Sequence, residues 1–243
     1  MPIPNIMIAA AAAAALALSG CQKTEDAAFG ERVRAYILEH PEVIQEAVAK
    51  LQEKQEKQAA EAATQALSKY RAALEQDPRD VVVNPQGSIT VVEFFDYNCG
   101  YCKLAAPEVL KLVKENPDVR FVLKEFPIFG GDSEQAAGVM LSPQARARAV
   151  EIHAAFMQAK PLNAKAIDRI LAEHGVDPKA ARAAAQTPEV QKHLADTHAL
   201  ASALQIQGTP AFIVDDTIVP GADVAALKLA IAQARSARIK KQG

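Results

Sequence analysis

The sequence contains no tryptophan, and aromatic residues make up only 5% of its 243 residues. A platform of stacked aromatic side chains, on which many proteins bind single-stranded nucleic acids, is therefore not expected. The sequence also has no excess of positive charge, because 27 lysines and arginines face 29 aspartates and glutamates. Nucleic acids bind to basic surfaces, so this composition predicts no nucleic-acid partner.

Cysteine is scarce too, with three residues in the whole chain: Cys21, Cys99 and Cys102. Three cysteines do not make the disulfide framework of a small secreted domain, which excludes that class of protein. Hydrophobic residues amount to 50% of the chain, enough for a core that needs no disulfide support. The odd number of cysteines leaves one thiol outside any pair.

The N-terminal segment accounts for the odd cysteine. Residues 6–18 form an apolar run, which is shorter than the roughly 20 residues that span a bilayer and suits the core of a signal peptide. The run ends in Leu18-Ser19-Gly20-Cys21, which resembles a bacterial lipobox, although no lysine or arginine precedes it. Residues 1–21 are therefore predicted to be a lipoprotein-type signal peptide, with Cys21 as the lipidation site. A plain secretory signal is the alternative.

Either signal places the mature chain in an oxidising compartment, which predicts the periplasm. The lipobox resemblance further implies membrane attachment by lipid. Gln22, and not the aspartate that marks retention at the inner membrane, follows the cysteine, so the resemblance favours the outer membrane.

Residues 22–78 are predicted to be a helical oligomerisation stalk and linker. From Glu31 to Leu74 there is no glycine, and the only proline, Pro41, breaks the segment into two helices. Ile44, Val48 and Leu51 recur at spacings of four and three, as on the seam of a short coiled coil. The alternative is a helix that lies along the following domain. We expect a homo-oligomer, but the heptads are too few to determine the number of chains.

Residues 79–243 are predicted to form an α/β catalytic domain. The apolar runs predict a βαβ unit, then a helical insertion over about residues 133–207, and finally a hairpin and a closing helix. The predicted strands are Val81–Val83, Ile89–Phe95, Val119–Phe126, Ala211–Val214 and Thr217–Val219. The predicted helices are Cys99–Lys114, with Leu104, Val109, Leu110 and Val113 facing inward, then 144–160, 164–174, 178–185, 188–206 and Ala222–Arg238.

The chemistry is predicted to lie in Cys99-Gly100-Tyr101-Cys102, where a buried strand is followed by a helix. The N–H groups and dipole of a helix N-terminus favour the thiolate form of the first cysteine, which is the attacking species. Cys102, one turn later, can attack the resulting mixed disulfide. A zinc half-site and a structural bridge are the alternatives. Zinc normally takes four ligands and the five histidines lie far away in sequence, so we expect no metal and no cofactor.

Two motifs carry a family resemblance. Val92-Glu93-Phe94-Phe95-Asp96-Tyr97-Asn98-Cys99-Gly100-Tyr101-Cys102, with Pro107, and Gly208-Thr209-Pro210-Ala211-Phe212 resemble the DsbA-like thioredoxin-fold proteins over about residues 80–240. Residues 33–43 are similar to the N-terminal segment of the suppressor-of-copper-sensitivity protein C subgroup, some of which are trimeric disulfide isomerases. The resemblance implies a thioredoxin fold with a helical insertion, preceded by the α-helical stalk.

The resemblance also implies roles for individual residues. Pro210 is expected to be a cis-proline beside Cys99, with the backbone of Thr209 turned towards an extended substrate. Gly100 and Tyr101 are expected to contribute to substrate binding around the thiol. Glu93 corresponds to an acidic residue beneath the active site and is expected to shuttle the proton of Cys102. For Glu93 the alternatives are contact with solvent at the strand end and an ion pair with Lys124.

The expected function is that of a periplasmic thiol–disulfide oxidoreductase that acts as a disulfide isomerase, with a trimer favoured by the resemblance. Its expected partners are exported proteins with cysteines and a membrane thiol–disulfide protein that recycles the active site. One alternative is a monomeric oxidase of the DsbA type. Another is a Cu(I)-binding protein for copper tolerance, because paired thiolates are good ligands for Cu(I).

Overall fold

The structure, a computed structural model, describes residues 27–242. The predicted signal peptide, residues 1–21, and the lipidation site Cys21 lie outside the described residues. Within the described part of the chain, no helix combines the length and the apolar character needed to cross a membrane.

The described residues form a mixed α/β chain with one sheet. The elements follow in the order α1 (27–39), α2 (Glu42–Glu75), β1 (Val81–Val83), β2 (Ile89–Phe95), α3 (Gly100–Glu115), β3 (Val119–Glu125), α4 (Gly131–Met140), α5 (Pro143–Arg146), α6 (Ala149–Gln158), α7 (Ala164–Glu173), α8 (Pro178–Ala185), α9 (Pro188–Ala203), β4 (Ala211–Val214), β5 (Thr217–Pro220) and α10 (Val224–Gln242).

The chain divides into two compact units, with the division between Glu61 and Ala62. In the first unit, the helix break predicted at Pro41 is confirmed, because α1 ends at residue 39 and α2 begins at Glu42. The apolar side chains predicted to form a seam are exposed to solvent within this unit: Ile44 by 50%, Val48 by 48% and Leu51 by 54%. Exposed apolar residues repeated on one side of a helix form a surface suited to association.

The second unit contains the five-stranded sheet, with strand order β1-β3-β2-β4-β5. The central strands β2 and β3 are parallel, with Phe95 opposite Glu125, and the other three strand pairs are antiparallel. The predicted βαβ unit and the final hairpin are confirmed. In that hairpin Asp215 has φ of +52°, a left-handed conformation that aspartate tolerates better than most residues.

Helix α3 follows the predicted bounds closely, but one inward residue was predicted wrongly. Its buried residues are Cys102, Ala105, Ala106, Val109, Leu112 and Val113, whereas Leu110 is half-buried and Leu104 is 71% exposed. The buried face repeats at three and four residues from Cys102. Leu104 lies two residues from Cys102, about 200° around the helix, and therefore faces away from the core.

The predicted helical insertion is present between β3 and β4 as α4–α9, with two differences. The helix predicted over residues 144–160 is divided into α5 and α6, and α4, most of which lies within the predicted insertion, was not given bounds of its own. Helix α4 is rich in small residues and has little apolar periodicity, so its pattern does not define where it begins and ends. Close packing explains the small residues, because a Cβ atom on Gly138 would lie 2.9 Å from Cβ of Ala185.

The C-terminal part of α2, from Ala62 on, belongs to the second unit. Leu67 and Leu74 are fully buried in a cluster with Phe94, Val122 and Leu200 from β2, β3 and α9. The Nζ atom of Lys124 also donates a hydrogen bond to the carbonyl of Ala73 at 2.6 Å. For this part of α2 the structure agrees with the alternative, a helix that lies along the following domain.

Substituting Leu67 with alanine should therefore destabilise the second unit by about 2–5 kcal/mol, because it leaves a cavity in the core. Denaturant unfolding monitored by circular dichroism measures this loss. The matched control is Leu229→Ala in α10, where the leucine is 59% exposed and the same change should cost less than about 0.5 kcal/mol. Equal stabilities for the two variants would contradict the placement of α2 in the core.

Candidate active site

The two candidate cysteines lie where β2 runs into α3. Cys99 is the N-cap residue of α3, with extended backbone angles of φ −69° and ψ 121°. Its Sγ atom accepts a hydrogen bond from the backbone N–H of Cys102 at 3.3 Å. The sulfur thus occupies the place of a capping oxygen, where the free N–H groups and the helix dipole stabilise negative charge. This geometry suits a nucleophilic thiolate.

The fold brings the second motif to the same place. The peptide bond between Thr209 and Pro210 is cis, and Pro210 is buried just before β4. The thiol of Cys99 donates a hydrogen bond to the carbonyl oxygen of Thr209 at 3.2 Å. Two segments separated by 110 residues therefore meet at one sulfur atom.

The two cysteines, which are both free thiols, differ in their surroundings. Both are buried, with 2% of Cys99 and 1% of Cys102 exposed, and both belong to the same core cluster, but Cys99 also lines an open groove, whereas Cys102 does not. Burial raises the pKa of the Cys102 thiol well above its ordinary value. Cys102 therefore keeps its proton at neutral pH, and a reaction at Cys102 requires a group that accepts this proton.

The groove beside Cys99 has a volume of about 940 Å³ and is mainly apolar. Its lining includes the exposed side chains of Tyr101, Leu104, Ile128 and Phe129, together with Pro107, Gly100 and Thr209. The predicted substrate-binding residues Gly100, Tyr101 and Thr209 thus line one surface. Another groove, of about 810 Å³ along β1, contains no cysteine, so the candidate site is the groove with the thiol.

Lys103 joins the cysteine motif to the helical insertion. Its Nζ atom donates hydrogen bonds to the carbonyls of Phe156 at 3.1 Å and Ala159 at 2.6 Å, at the C-terminal end of α6. A cation at this end of a helix is favourable, because the free carbonyls there carry partial negative charge. Burial lowers the pKa of Lys103 from its ordinary value. The start of α3 is therefore anchored to α6 as well as to the sheet.

Glu93 lies on the face of the sheet that packs against α3. Alternation along β2 places it on the same side as Val91 and Phe95, which pack with residues of α3. Glu93 is 3% exposed, and its Oε2 atom has no hydrogen-bond partner within the described residues. Burial raises the pKa of this carboxyl group to about 8, so the group is mostly neutral at pH 7.

Both alternatives for Glu93 are wrong. Its carboxyl group does not reach solvent, because the residue is buried. Lys124 instead forms a buried ion pair with Asp80, whose other carboxylate oxygen lies 3.1 Å from Nε2 of His193. The sequence did not indicate Asp80 as the partner, because 44 residues separate it from Lys124.

A second buried acid lies near this site and was not predicted. The hydroxyl of Tyr97 donates a hydrogen bond to Glu125 Oε1 at 3.1 Å and lies 3.3 Å from His153 Nδ1. Burial raises the pKa of Glu125 well above its ordinary value and lowers the pKa of His153 to about 4. Burial therefore favours the uncharged forms of both Glu125 and His153. In the sequence, the available indication of this acid was the position of Glu125 near the end of a predicted strand. In the structure that strand runs parallel to β2.

The cysteines have no partners that would complete a metal site in the described part of the chain. Among residues 27–242, no three or more histidine, cysteine, aspartate or glutamate side chains are grouped so that they could hold a metal ion. The geometry supports thiol chemistry: a capped nucleophile, a buried second thiol and an open groove.

Comparison with known families matches two parts of the chain. The model described as "DSBA-like thioredoxin domain" matches residues 90–232. The model described as "Copper resistance protein ScsC N-terminal domain" matches residues 25–58. The first match contains the candidate site, and the second falls within the first unit.

Solved structures with similar folds cover most of the chain. Salmonella enterica Typhimurium BcfH is 31% identical, with a TM-score of 0.69 over 92% of this chain and 99% of its own. Proteus mirabilis ScsC in a transitional conformation is 30% identical, with a TM-score of 0.64 over 88% of this chain and 97% of its own. A thioredoxin-like oxidoreductase from Silicibacter pomeroyi DSS-3 is 40% identical, with a TM-score of 0.65 over 68% of this chain and 98% of its own.

A curated relative gives a shorter match. "Thioredoxin-like 1-3, chloroplastic" of Arabidopsis thaliana is 40% identical over 48 residues, which are 18% of this chain and 18% of that protein. The chain therefore spans about a fifth of the length of that relative.

Proposed function

The chain belongs to the family of DSBA-like thioredoxin domains, which are thiol–disulfide oxidoreductases, and we propose that it is a periplasmic disulfide isomerase that acts through Cys99 and Cys102. One observation carries the proposal. Sγ of Cys99 caps α3 and lies 3.2 Å from the carbonyl of Thr209, in an open apolar groove. A nucleophile is thus placed beside a backbone segment with which an extended chain can pair.

The reaction begins when the Cys99 thiolate attacks one sulfur of a substrate disulfide. A bond forms between that sulfur and Cys99, the substrate S–S bond breaks, and the other substrate sulfur leaves as a thiolate. If this thiolate then attacks a different disulfide of the substrate, and a substrate thiolate finally displaces Cys99, the disulfides have been exchanged. No net oxidation or reduction occurs in this isomerisation.

Cys102 can release the substrate from the mixed disulfide. It loses its proton and attacks Sγ of Cys99, which forms the Cys99–Cys102 disulfide and releases the substrate as a thiolate. The substrate disulfide is then reduced by two electrons, and the protein must be reduced by a membrane thiol–disulfide partner. Glu93, on the sheet face beneath α3, is the proposed acceptor of the Cys102 proton. With a pKa of about 8, about a tenth of the Glu93 side chains are ionised at pH 7, and this ionised fraction is the form that accepts the proton.

The N-terminal unit supports the choice of isomerase over oxidase. Its sequence matches the ScsC N-terminal domain, and it exposes Ile44, Val48 and Leu51 on one side of α2. We propose that this stripe joins copies of the chain into an oligomer, with a trimer favoured. Several active sites around one misfolded substrate raise the effective concentration of thiolate, which favours repeated exchange.

The proposed location is the periplasm, with Cys21 lipidated and the outer membrane favoured. Its support is the predicted signal segment and the similarity to the solved structure of a periplasmic thioredoxin-like protein from Salmonella enterica serovar Typhimurium. Cu(I) binding is a second candidate, because the matched N-terminal domain is named for copper resistance and two free thiols lie together.

Disrupting the stripe should separate oligomerisation from thiol chemistry. We expect the triple variant Ile44→Glu, Val48→Glu and Leu51→Glu to be monomeric by light scattering, because buried unpaired carboxylates oppose association. Reactivation of scrambled ribonuclease should fall about tenfold or more with the loss of effective concentration. Oxidation or reduction of a simple peptide dithiol or disulfide should change little.

The matched control carries the same three charges about 100° away around the helix, at positions Gln45, Ala49 and Gln52. This control should keep the wild-type mass and isomerase rate. A monomeric wild-type protein that oxidises reduced substrates rapidly would establish the oxidase instead. A protein without either activity that binds Cu(I) tightly would establish the copper function.

A further inference from the structure

Asp96 is a buried carboxylate at the end of β2 and is only 2% exposed. Its Oδ1 atom accepts hydrogen bonds from the backbone N–H of Asn98 at 2.6 Å and from the hydroxyl of Ser133 at 2.7 Å. Its Oδ2 atom accepts from the backbone N–H groups of Ile128 at 2.7 Å and Phe129 at 3.0 Å. A carboxylate that accepts from four donors in a buried site is held in one orientation.

One of these contacts, from Asn98, fixes the loop that carries the nucleophile. Asn98 immediately precedes Cys99, and the backbone N–H of Cys99 donates to the carbonyl of Asp96 at 3.2 Å. The amide of Asn98 also donates to the carbonyl of Leu162 at 3.1 Å, in the connection between α6 and α7. Asp96 therefore closes the short turn from β2 to the first residue of α3.

The two contacts to Oδ2 hold a part of the groove that is distant in sequence. Ile128 and Phe129, here called the lip, follow β3, and their side chains are 37% and 56% exposed. Both side chains line the groove beside Cys99. The next residue, Gly130, has φ of +91°, a conformation that suits glycine, and its carbonyl accepts from the backbone N–H of Ser133 at the start of α4.

We propose that Asp96 is a positioning residue that holds the apolar lip at a fixed distance from Cys99 and thereby sets the preference for disulfides flanked by apolar residues. This inference rests on the proposed function. The two N–H groups of the lip lie outside any strand or helix, and both are directed at Asp96 Oδ2. An apolar side chain beside the substrate cysteine can contact the lip only while Cys99 and the lip keep this geometry.

The variant Asp96→Asn changes this geometry with little change in size. An amide group has one oxygen, so either the lip or Asn98 would face an NH₂ group that cannot accept a hydrogen bond. The matched control is Asp132→Asn, which removes one carboxylate from an exposed position in the first turn of α4. The full-length protein is used for both variants.

The experiment compares two mixed disulfides of glutathione with a short peptide. In one peptide leucine and phenylalanine flank the cysteine, and in the other serine takes both positions. Wild-type protein and Asp132→Asn should give a higher kcat/KM for the apolar peptide. In Asp96→Asn the ratio of the two kcat/KM values should fall roughly 10-fold or more, mainly through KM. The reason is that a lip displaced from Cys99 no longer contacts the apolar side chains that flank the peptide cysteine.

Amide hydrogen exchange gives a second measurement that a general loss of stability does not imitate. In Asp96→Asn the amides of Ile128 and Phe129 should exchange faster, while the amides of β2 and β4 should keep their protection. Faster exchange throughout the sheet, or an equal loss of rate for both peptides, would overturn the inference in favour of a purely structural role.

Ser133→Ala provides a milder test, because it removes one donor to Oδ1 and keeps the carboxylate. It should lower the same ratio to a smaller extent, and if Asp96→Asn does not fold, an unchanged ratio in Ser133→Ala overturns the inference. A wild-type protein that exchanges both peptides without preference also overturns it. A wild-type protein that exchanges neither peptide refutes the proposed function itself.

Discussion

Replacing Cys99 with serine should abolish thiol–disulfide exchange, with a loss of at least about 1000-fold in the rate of peptide disulfide reduction. Serine keeps the capping geometry at the N-terminus of α3, since a hydroxyl oxygen also accepts a hydrogen bond from N–H of Cys102. It removes only the sulfur nucleophile. The loss should therefore occur without a large change in the free energy of unfolding, which denaturant titration measures in parallel.

Cys102→Ser should behave differently, because it leaves the nucleophile in place. Cys99 still attacks the substrate disulfide, but the buried group that would release the substrate is missing. A covalent complex between the protein and its substrate should accumulate, visible by non-reducing electrophoresis and abolished by a reductant. The third cysteine supplies the control, since Cys21→Ser should exchange disulfides at the wild-type rate.

Alkylation provides an independent test of which thiol is the nucleophile and which is the buried second thiol. Iodoacetamide should label Cys99 first at pH 7, because its sulfur caps α3 and lines the groove, whereas burial raises the pKa of Cys102 and Cys102 does not line the groove. In Cys99→Ser the thiol of Cys102 should react slowly until the protein unfolds. Rapid labelling of Cys102 in the folded variant would contradict the assigned roles.

The parts of the site that the sequence predicted are those that local geometry determines. A buried strand followed by Cys-x-x-Cys and a helical pattern places Cys99 at the N-cap, whatever the rest of the chain does. The placement of Ile44, Val48 and Leu51 on one side of α2 follows in the same way, since helical spacing alone determines it. These features depend on neighbours within one or two helical turns.

The residues that the sequence did not assign depend on contacts across the fold. In the sequence, Asp96 is a polar residue in a loop with no sign of a special role. Its role depends on the fold, in which Ile128, Phe129 and Ser133 donate hydrogen bonds to its two carboxylate oxygens. Leu67 and Leu74 belong to the core because the sheet lies against them, although a polar helix precedes them. The pairing of Lys124 with Asp80 was equally hidden, because spacing in sequence does not identify the partner of a buried charge.

Glu93 links the stability of the fold to its chemistry, and Glu93→Gln should change both. In the folded protein burial raises the pKa of Glu93 to about 8, whereas in the unfolded chain the group has its ordinary value of 4.5. Below pH 4.5 both states hold the proton, and the group causes no dependence on pH. Between pH 4.5 and 8 only the folded state holds it, so the stability of the wild-type protein falls as pH rises.

The glutamine variant lacks this titration, and its stability relative to wild type should therefore grow between pH 4.5 and 8. Since each pKa unit corresponds to about 1.4 kcal/mol, a gain of roughly 2–4 kcal/mol is expected over this range. Urea unfolding at several pH values measures it. Glu125 titrates in both proteins, but the charge of Glu93 contributes to its raised pKa, so its contribution cancels only in part. Glu115→Gln, an exposed change of the same type, should show no such trend.

The same variant should be slower in the step that needs a proton acceptor. If Glu93 accepts the proton of Cys102, Glu93→Gln should prolong the mixed disulfide and lower the release rate by about 100-fold, within the usual range for acid–base catalysis. The initial attack by Cys99 requires no such transfer and should proceed at nearly the wild-type rate. A variant that gains stability with pH and still releases substrate at full speed would show that Glu93 is neutral in the fold but plays no part in proton transfer.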